Sequence, residues 1–433
     1  MPLKIKIIGA GISGLACAYH LKKYRAKAET AIYEAEDKIG GLCGSYQEKG
    51  FTFDYSGHLL HLSTRSGKAL ARKLLGRNQT QIKREAFVFF KGKKVEFPFQ
   101  NNLFRLDKKD ISYCVSEAIK AYGAQSEKKD SFKDWALALY GKGICEYFMF
   151  PYNSKLWNFP LEKLTPQWCG KFIPAYTLED IIKGAYLKRN KKTGYNSTFY
   201  YPKSGGCGAI CSALAQDLDN INLNSALTAI DFKNKTFKAG GKTVSYDKLV
   251  STMPLPALGK ALKGLPAEIK AAFKELKHNS LYVLNIAFKG KAPKGHWFYF
   301  PEDKYPFYRV GVQSSFSKSS APKGTFSLYI EFALRQNCKA DLNKLKQKAI
   351  SALKDLGFID EKSEIVTKKW HHIRYGYPIY DGRYAKARGL ILDYLAKQDI
   401  YLLGRYGAWE YSFMEKSLLD AAALAKTIAK VSK

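Results

Sequence analysis

The chain has 433 residues, enough for two domains with large cores, and its hydrophobic fraction of 46% and charged fraction of 25% exclude a disordered or fibrous polymer. The formal net charge is +33, carried by lysines spread along the whole chain without a basic tail or zinc-finger spacing. That pattern fits a solvated lysine shell first and an anionic substrate or membrane surface second; it leaves nucleic acid last, and no nucleic-acid partner is expected.

The aromatic fraction of 14% suits either the walls of a ligand cavity or an aromatic core. None of the eight cysteines forms a C-x-x-C pair, and Cys207 and Cys211, four apart, have no His or Cys nearby to complete a zinc set. They read as small buried residues in a reducing compartment, and no metal site is expected. Lys4 and Lys6 interrupt the first apolar stretch, so no signal peptide is read there. No apolar run reaches the roughly 18 residues of a membrane span. A cytoplasmic protein is expected, with a peripheral position at the inner membrane surface left open.

In chain order, Lys4–Ile8 reads as a buried strand, Leu15–Tyr24 as a helix and Thr30–Tyr33 as a second strand, together a β-α-β unit. Lys38–His61 is glycine-punctuated and loop-rich. Phe87–Val95 predicts a hairpin around Lys91-Gly92-Lys93. From Asp107 to Lys192 the helical period dominates, as in a helical insertion. Phe199–Gly208 is strand and glycine loop, and Ala209–Leu218 is helical. Ile221–Leu249 resembles a β-meander, and Leu249–Thr252 is a strand stopped by Pro254 and Pro256. Ser280–Phe332 carries aromatic-rich strands, Asp341–Leu356 a helix, Ile400–Leu403 a strand, Gly404–Tyr406 a turn, and Ser417–Val431 a helix.

The first β-α turn contains Gly9-Ala10-Gly11-Ile12-Ser13-Gly14, a G-x-G-x-x-G in the context it needs. Gly9 permits the tight turn, Gly11 the close approach of a pyrophosphate, and Gly14 close packing of helix on strand. The anion then sits at the helix start, where free N–H groups and the dipole favour it. Glu34, twenty residues after Gly14, ends the second strand, where a carboxylate accepts hydrogen bonds from ribose hydroxyls.

Glu34-Ala35-Glu36-Asp37-Lys38-Ile39-Gly40-Gly41 resembles the flavin amine oxidase pattern, with Lys38 where Arg is common and Leu42 where many amine oxidases carry Arg. Tyr401-Leu402-Leu403-Gly404-Arg405 and the following helix resemble the C-terminal flavin segment of that superfamily. The resemblance implies FAD, held between both ends of the chain. It implies an α/β fold: an FAD-binding two-dinucleotide-binding-type domain with a mixed substrate-binding sheet and a helical insertion. On that division, residues 1–95, 196–256 and 375–433 form the FAD-binding domain, 96–195 the helical insertion, and 257–374 the β-rich substrate domain.

Gly50–His61, Tyr152–Trp157, Leu249–Met253, Gly376-Tyr377-Pro378-Ile379-Tyr380 and Gly404-Arg405-Tyr406-Gly407-Ala408-Trp409-Glu410-Tyr411 are similar to segments of UDP-galactopyranose mutases. Arg405 discriminates, because oxidases usually place an acid after that glycine. The likeness implies reduced flavin as nucleophile toward a UDP-sugar, with NADH or NADPH as reductant. Its candidate catalytic residues are His58, Arg405, Tyr377 and Tyr411. The candidate cofactor residues are Gly9, Gly11, Ser13, Gly14, Glu34, Lys38, Gly40, Gly41, Leu42, His58, Gly404 and Arg405. Glu415 departs from the Asp usual there, and Arg335, Arg374 and Arg383 are candidates for a diphosphate. Two other readings stand beside this one: an FAD-dependent oxidoreductase on a hydrophobic or amine substrate, as in protoporphyrinogen oxidases or desaturases, and a catalytically silent FAD-binding scaffold. The oligomeric state stays open.

Overall fold

The computed structural model describes residues 2–124, 129–187 and 197–431. β1 (Leu3–Ile8), α1 (Ile12–Lys23) and β2 (Ala28–Tyr33) form the expected β-α-β unit, with β1 and β2 parallel from Leu3↔Ala28 to Ile8↔Tyr33. Among the described residues five parallel strands make this sheet, in the order Ile400–Leu402, Lys248–Ser251, β1, β2, Ile221–Asn222. Ile5, Ile7, Leu249 and Val250 are fully buried, as a parallel sheet covered on both faces requires. The order explains how the two ends of the chain meet: Lys248–Ser251 pairs with β1 on one side and with Ile400–Leu402 on the other.

A second, mixed sheet runs Ile365–Ile373, Asn279–Lys289, Thr325–Arg335, Arg309–Val312, Trp297–Tyr299, Ala86–Phe90, Lys93–Glu96. Strand alternation divides its faces. Leu328, Ile330 and Phe332 turn toward the helix Leu342–Asp355 and pack with its Ala349 and Leu353. Tyr329 and Glu331, one residue out of phase, turn the other way, toward the loop Ser56–His58. The hairpin Ala86–Glu96, in the first segment of the chain, is thus paired into this sheet through Trp297↔Ala86.

The helical insertion contains Lys108–Ala124, Phe132–Ile144, Phe150–Trp157 and Leu178–Tyr186; Lys192, the predicted end of the helical stretch, lies outside the described residues. Thr177 and Asp180 form a reciprocal capping box at the last of these helices. The Lys155 ammonium donates to the carbonyls of Phe300, Glu302 and Tyr305 at 2.9, 3.0 and 2.8 Å, which pins the insertion to the mixed sheet.

Several expectations need correction. Lys38–His61 contains a hairpin, Ser45–Glu48 with Phe51–Asp54, turning at Lys49-Gly50. Phe51 and Phe53 are buried against Ala287 of the mixed sheet, a tertiary partner that no local pattern shows. The meander is Leu227–Asp231, Thr236–Ala239 and Lys242–Ser245; Ile221–Asn222 leaves it to edge the parallel sheet. The helices Arg65–Leu75 and Tyr384–Ala396 had no counterpart in the sequence reading, and the last helix starts at Met414 instead of Ser417. Among the described residues no helix is long and apolar enough to cross a membrane.

Candidate cofactor and substrate cavity

A cavity of about 920 Å³ runs from the glycine loop after β1, under the Ser56–His58 loop, to the helical insertion. At its first end Gly9 has a φ of 101° and lies against Thr252, and a Cβ on Gly14 would come 2.0 Å from the Gly9 carbonyl oxygen. Close packing of α1 on the turn therefore demands Gly14, which stays behind the cavity wall. A Cβ on Gly11 would meet nothing nearer than 3.9 Å, where Gly40 and Gly41 close the opposite side. α1 opens at Gly11 without a side-chain cap and without an acidic residue in its first turn. Its N–H groups and dipole are thus available to an anion. Glu34 is buried: Oε2 accepts from the Ala10 amide at 2.6 Å and Oε1 from the Glu36 amide at 3.0 Å. Lys38 stands exposed at the rim, 5.6 Å from the Tyr55 ring centroid.

In the middle of the cavity, Arg405 lies between two tyrosine rings, 4.8 Å from the centroid of Tyr377 and 5.0 Å from that of Tyr411. Its Nη2 donates to the Gly376 carbonyl at 3.0 Å, while its buried Nε has no partner. Asn279 places Tyr377 by accepting from its amide at 2.7 Å while donating to the Leu156 carbonyl at 2.7 Å. Tyr411 stacks on Phe172 with centroids 3.9 Å apart. His58 lines the same wall with an unpartnered, buried Nδ1. His61 does not line it; its ring sits edge-on to Phe413, and burial pushes its pKa down.

The structure brings Gly9, Gly11, Ser13, Glu34, Lys38, Gly40, Gly41, Leu42, His58, Tyr377, Arg405 and Tyr411 to this one cavity. Gly404 stays just behind it, packed on Ser13. Of the three further arginines, Arg374 lines the cavity; Arg335 is exposed at a strand end, and Arg383 pairs with Glu275 at 2.9 Å.

Sequence reasoning did not single out Arg309, Glu331, Phe148 or Gln100, and it noted Tyr152 only within the segment Tyr152–Trp157. Arg309 lines the cavity in a two-pronged pair with Glu331, at 2.5 and 2.7 Å, and Ser56 also donates to Glu331. Burial would raise the Glu331 carboxyl, but Arg309 and Ser56 hold it below its usual range. At the far end, Phe148 and Tyr152 stack with centroids 5.3 Å apart, and Gln100, only 1% exposed, lines the wall with its Oε1 unpartnered. Arg309 and Glu331 lie on neighbouring strands 22 residues apart, a pairing with no sequence signature.

Fold and cavity together define a protein with a dinucleotide-binding type of fold, in which residues from both ends of the chain line one cavity. The chain belongs to the flavin-containing amine oxidoreductase family, whose model matches residues 12–429. A crystal structure of reduced UDP-galactopyranose mutase superposes on the whole chain and 94% of that chain, with a TM-score of 0.93 and 29% identity. By sequence the chain is 22% identical to protoporphyrinogen oxidase 2 of Arabidopsis thaliana, over 88% of this chain and 85% of the relative. It is 23% identical to the mitochondrial protoporphyrinogen oxidase of Nicotiana tabacum, over 94% and 90%. FAD is the cofactor the family implies. The uncapped, carboxylate-free start of α1, the open space at Gly11 and the buried Glu34 carboxylate fit its ADP half.

Proposed function

We propose that this flavoenzyme acts on a nucleoside-diphosphate sugar, a UDP-sugar by preference, and rearranges it without net redox change in the manner of UDP-galactopyranose mutases. The observation that carries the reading is Arg405. It stands in the middle of the cavity between Tyr377 and Tyr411, with an unused N–H, on the same wall system as the ADP cradle.

When bound, reduced FAD supplies the nucleophile; an external NADH or NADPH is the class of reductant that fits this chemistry. The chain's own residues supply the rest. Arg405 supplies positive charge and its unused Nε–H to the diphosphate as it leaves, while Arg309, its fork already taken by Glu331, lines the wall as a held ion pair. Tyr377 and Tyr411 flank Arg405 and present their rings to the sugar. Gln100 Oε1 accepts from an imide N–H, and Phe148 and Tyr152 offer ring faces, as a uracil base requires. His58 holds its ring against the cofactor side of the cavity.

Titration calorimetry with UDP on oxidised and on dithionite-reduced holoprotein tests this. UDP binds, more tightly to the reduced form, and Arg405→Ala weakens it on the order of tenfold or more, the loss of a charge-assisted contact. Gln100→Ala also weakens UDP while leaving flavin content unchanged. The likeness to protoporphyrinogen oxidases gives the rival: absence of UDP binding in both redox states, with rapid flavin reduction by an amine or a hydrophobic substrate, makes the protein an oxidoreductase.

A further inference from the structure

Seven of the eight cysteines are buried, and three of them meet beside the cofactor turn. Cys43 ends the turn Gly41–Cys43 and lines the cavity. Cys207 and Cys211, on the glycine loop and helix that follow Tyr201, pack with it in one buried cluster. The two backbones are already in contact. Gly208 donates to Ser45 Oγ at 2.8 Å, and the Cys207 amide donates to Asp54, which also binds Ser45. A Cβ on Gly206 would come 2.4 Å from Ser45 Oγ, and one on Gly208 2.9 Å from the Ser45 amide. A bond between Cys43 and either neighbour therefore spans segments that already touch. Cys207 also contacts Met414 Sδ at 3.5 Å, and Cys211 the Gly40 carbonyl at 3.9 Å.

We infer that Cys43, Cys207 and Cys211 form a peroxide-reactive thiol site in which Cys43 is oxidised and then linked to Cys207 or Cys211, fastening the cofactor turn. The Cys43 thiol is held well below its usual range by hydrogen bonds from Cys207 and then Cys211, which outweigh its burial, with His58 and Arg405 adding positive charge. Its thiolate attacks a hydroperoxide oxygen; the O–O bond breaks, one oxygen leaves as water, and Cys43 becomes a sulfenic acid. The thiol of Cys207 or Cys211 displaces that oxygen as a second water and forms the S–S bond. In sum, two thiols and one hydrogen peroxide give one disulfide and two waters. Thiol reductants reverse it.

The consequence lies at Gly40-Gly41. The Gly40 amide donates to the Ala10 carbonyl at 2.9 Å, so this turn closes the glycine loop from the opposite side. A disulfide at Cys43 ties it to the helix Ala209–Ala215, and a bound dinucleotide leaves only if the turn opens. Oxidation thus slows cofactor release without touching a residue assigned to substrate.

The test is read on thiols. Protein with and without flavin is treated with hydrogen peroxide, alkylated under denaturing conditions, cut with trypsin and analysed by mass spectrometry. The expected product joins the peptide Ile39–Lys49 to the peptide Ser204–Lys233. Cys43→Ser abolishes it, each of Cys207→Ser and Cys211→Ser keeps it, and the double variant loses it. The exposed Cys338 reports that peroxide was active. Reaction at Cys338 with all three buried thiols still alkylated overturns the site. For the fastening, linked holoprotein releases FAD severalfold more slowly on dilution, and dithiothreitol restores the original rate; unchanged release from fully linked protein overturns that role. Because UDP enters none of these readouts, this inference fails or stands separately from the nucleotide-sugar reading, although its cofactor consequence rests on FAD binding.

Discussion

Gly404, which opens the short helix Gly404–Gly407 after the last strand, packs directly on Ser13 at the start of α1: a Cβ at 404 would stand 2.1 Å from Ser13 Oγ. The contact joins the two ends of the chain at the cofactor cradle. Gly404 also has a φ of 76°, which a side chain resists. Gly404→Ala is expected to cost about 1–3 kcal/mol in backbone strain alone. Thermal unfolding and flavin content check this: the melting temperature falls and flavin is lost together. Ser13→Gly in the same chain recovers only the part due to the clash.

Glu34→Ala weakens FAD more than Glu36→Ala. The Glu34 carboxylate is buried and already aimed by two amides, whereas Glu36 is exposed beyond the strand end. A lost hydrogen bond to a charged group costs on the order of 1.5–3 kcal/mol. Flavin affinities measured on apoprotein decide the matter; equal values for the two variants remove Glu34 from the ribose site.

Glu331→Gln leaves Arg309 without its buried counter-charge, at an expected cost of about 3–5 kcal/mol at neutral pH. The folded carboxyl titrates below its ordinary 4.5, so the pair stabilises fully above that value and fades as pH falls through the lower, folded one. Denaturant unfolding of both proteins from neutral pH downward gives two curves that converge in acid. Parallel curves contradict the pairing.

Lys155 has the opposite linkage. Burial lowers its pKa from 10.5 to about 8, against the pull of Asp303 and Glu302, so the folded protein gives up this proton before the unfolded chain does. Stability rises with pH between those two values because the unfolded state binds more protons there. Lys155→Met removes that rise and also the three carbonyl contacts to the mixed sheet. Unfolding followed from pH 8 upward, as the difference between the two proteins, measures it; a constant difference rejects the assignment.

Local sequence was sufficient for the β-α-β end of the cavity. A strand, three glycines at fixed spacing, a helix and an acid twenty residues on are consecutive, so their geometry follows from chain connectivity and backbone sterics, and the structure places them as read. The helical insertion and the Lys91-Gly92 hairpin were legible for the same reason, each being a short-range periodicity or turn. The short strands Ser45–Glu48 and Phe51–Asp54 were not, since four-residue strands are stabilised by what buries them. The tertiary structure alone decided which remote residues share the far end of the cavity. Arg405 reaches Tyr377 because a parallel strand and a mixed-sheet edge converge there. Arg309 finds Glu331 across two strands, and Gln100 is carried in by the chain entering the insertion. Charge pairing and burial act through space, and the alternation of a strand says which face a residue takes without saying what faces it.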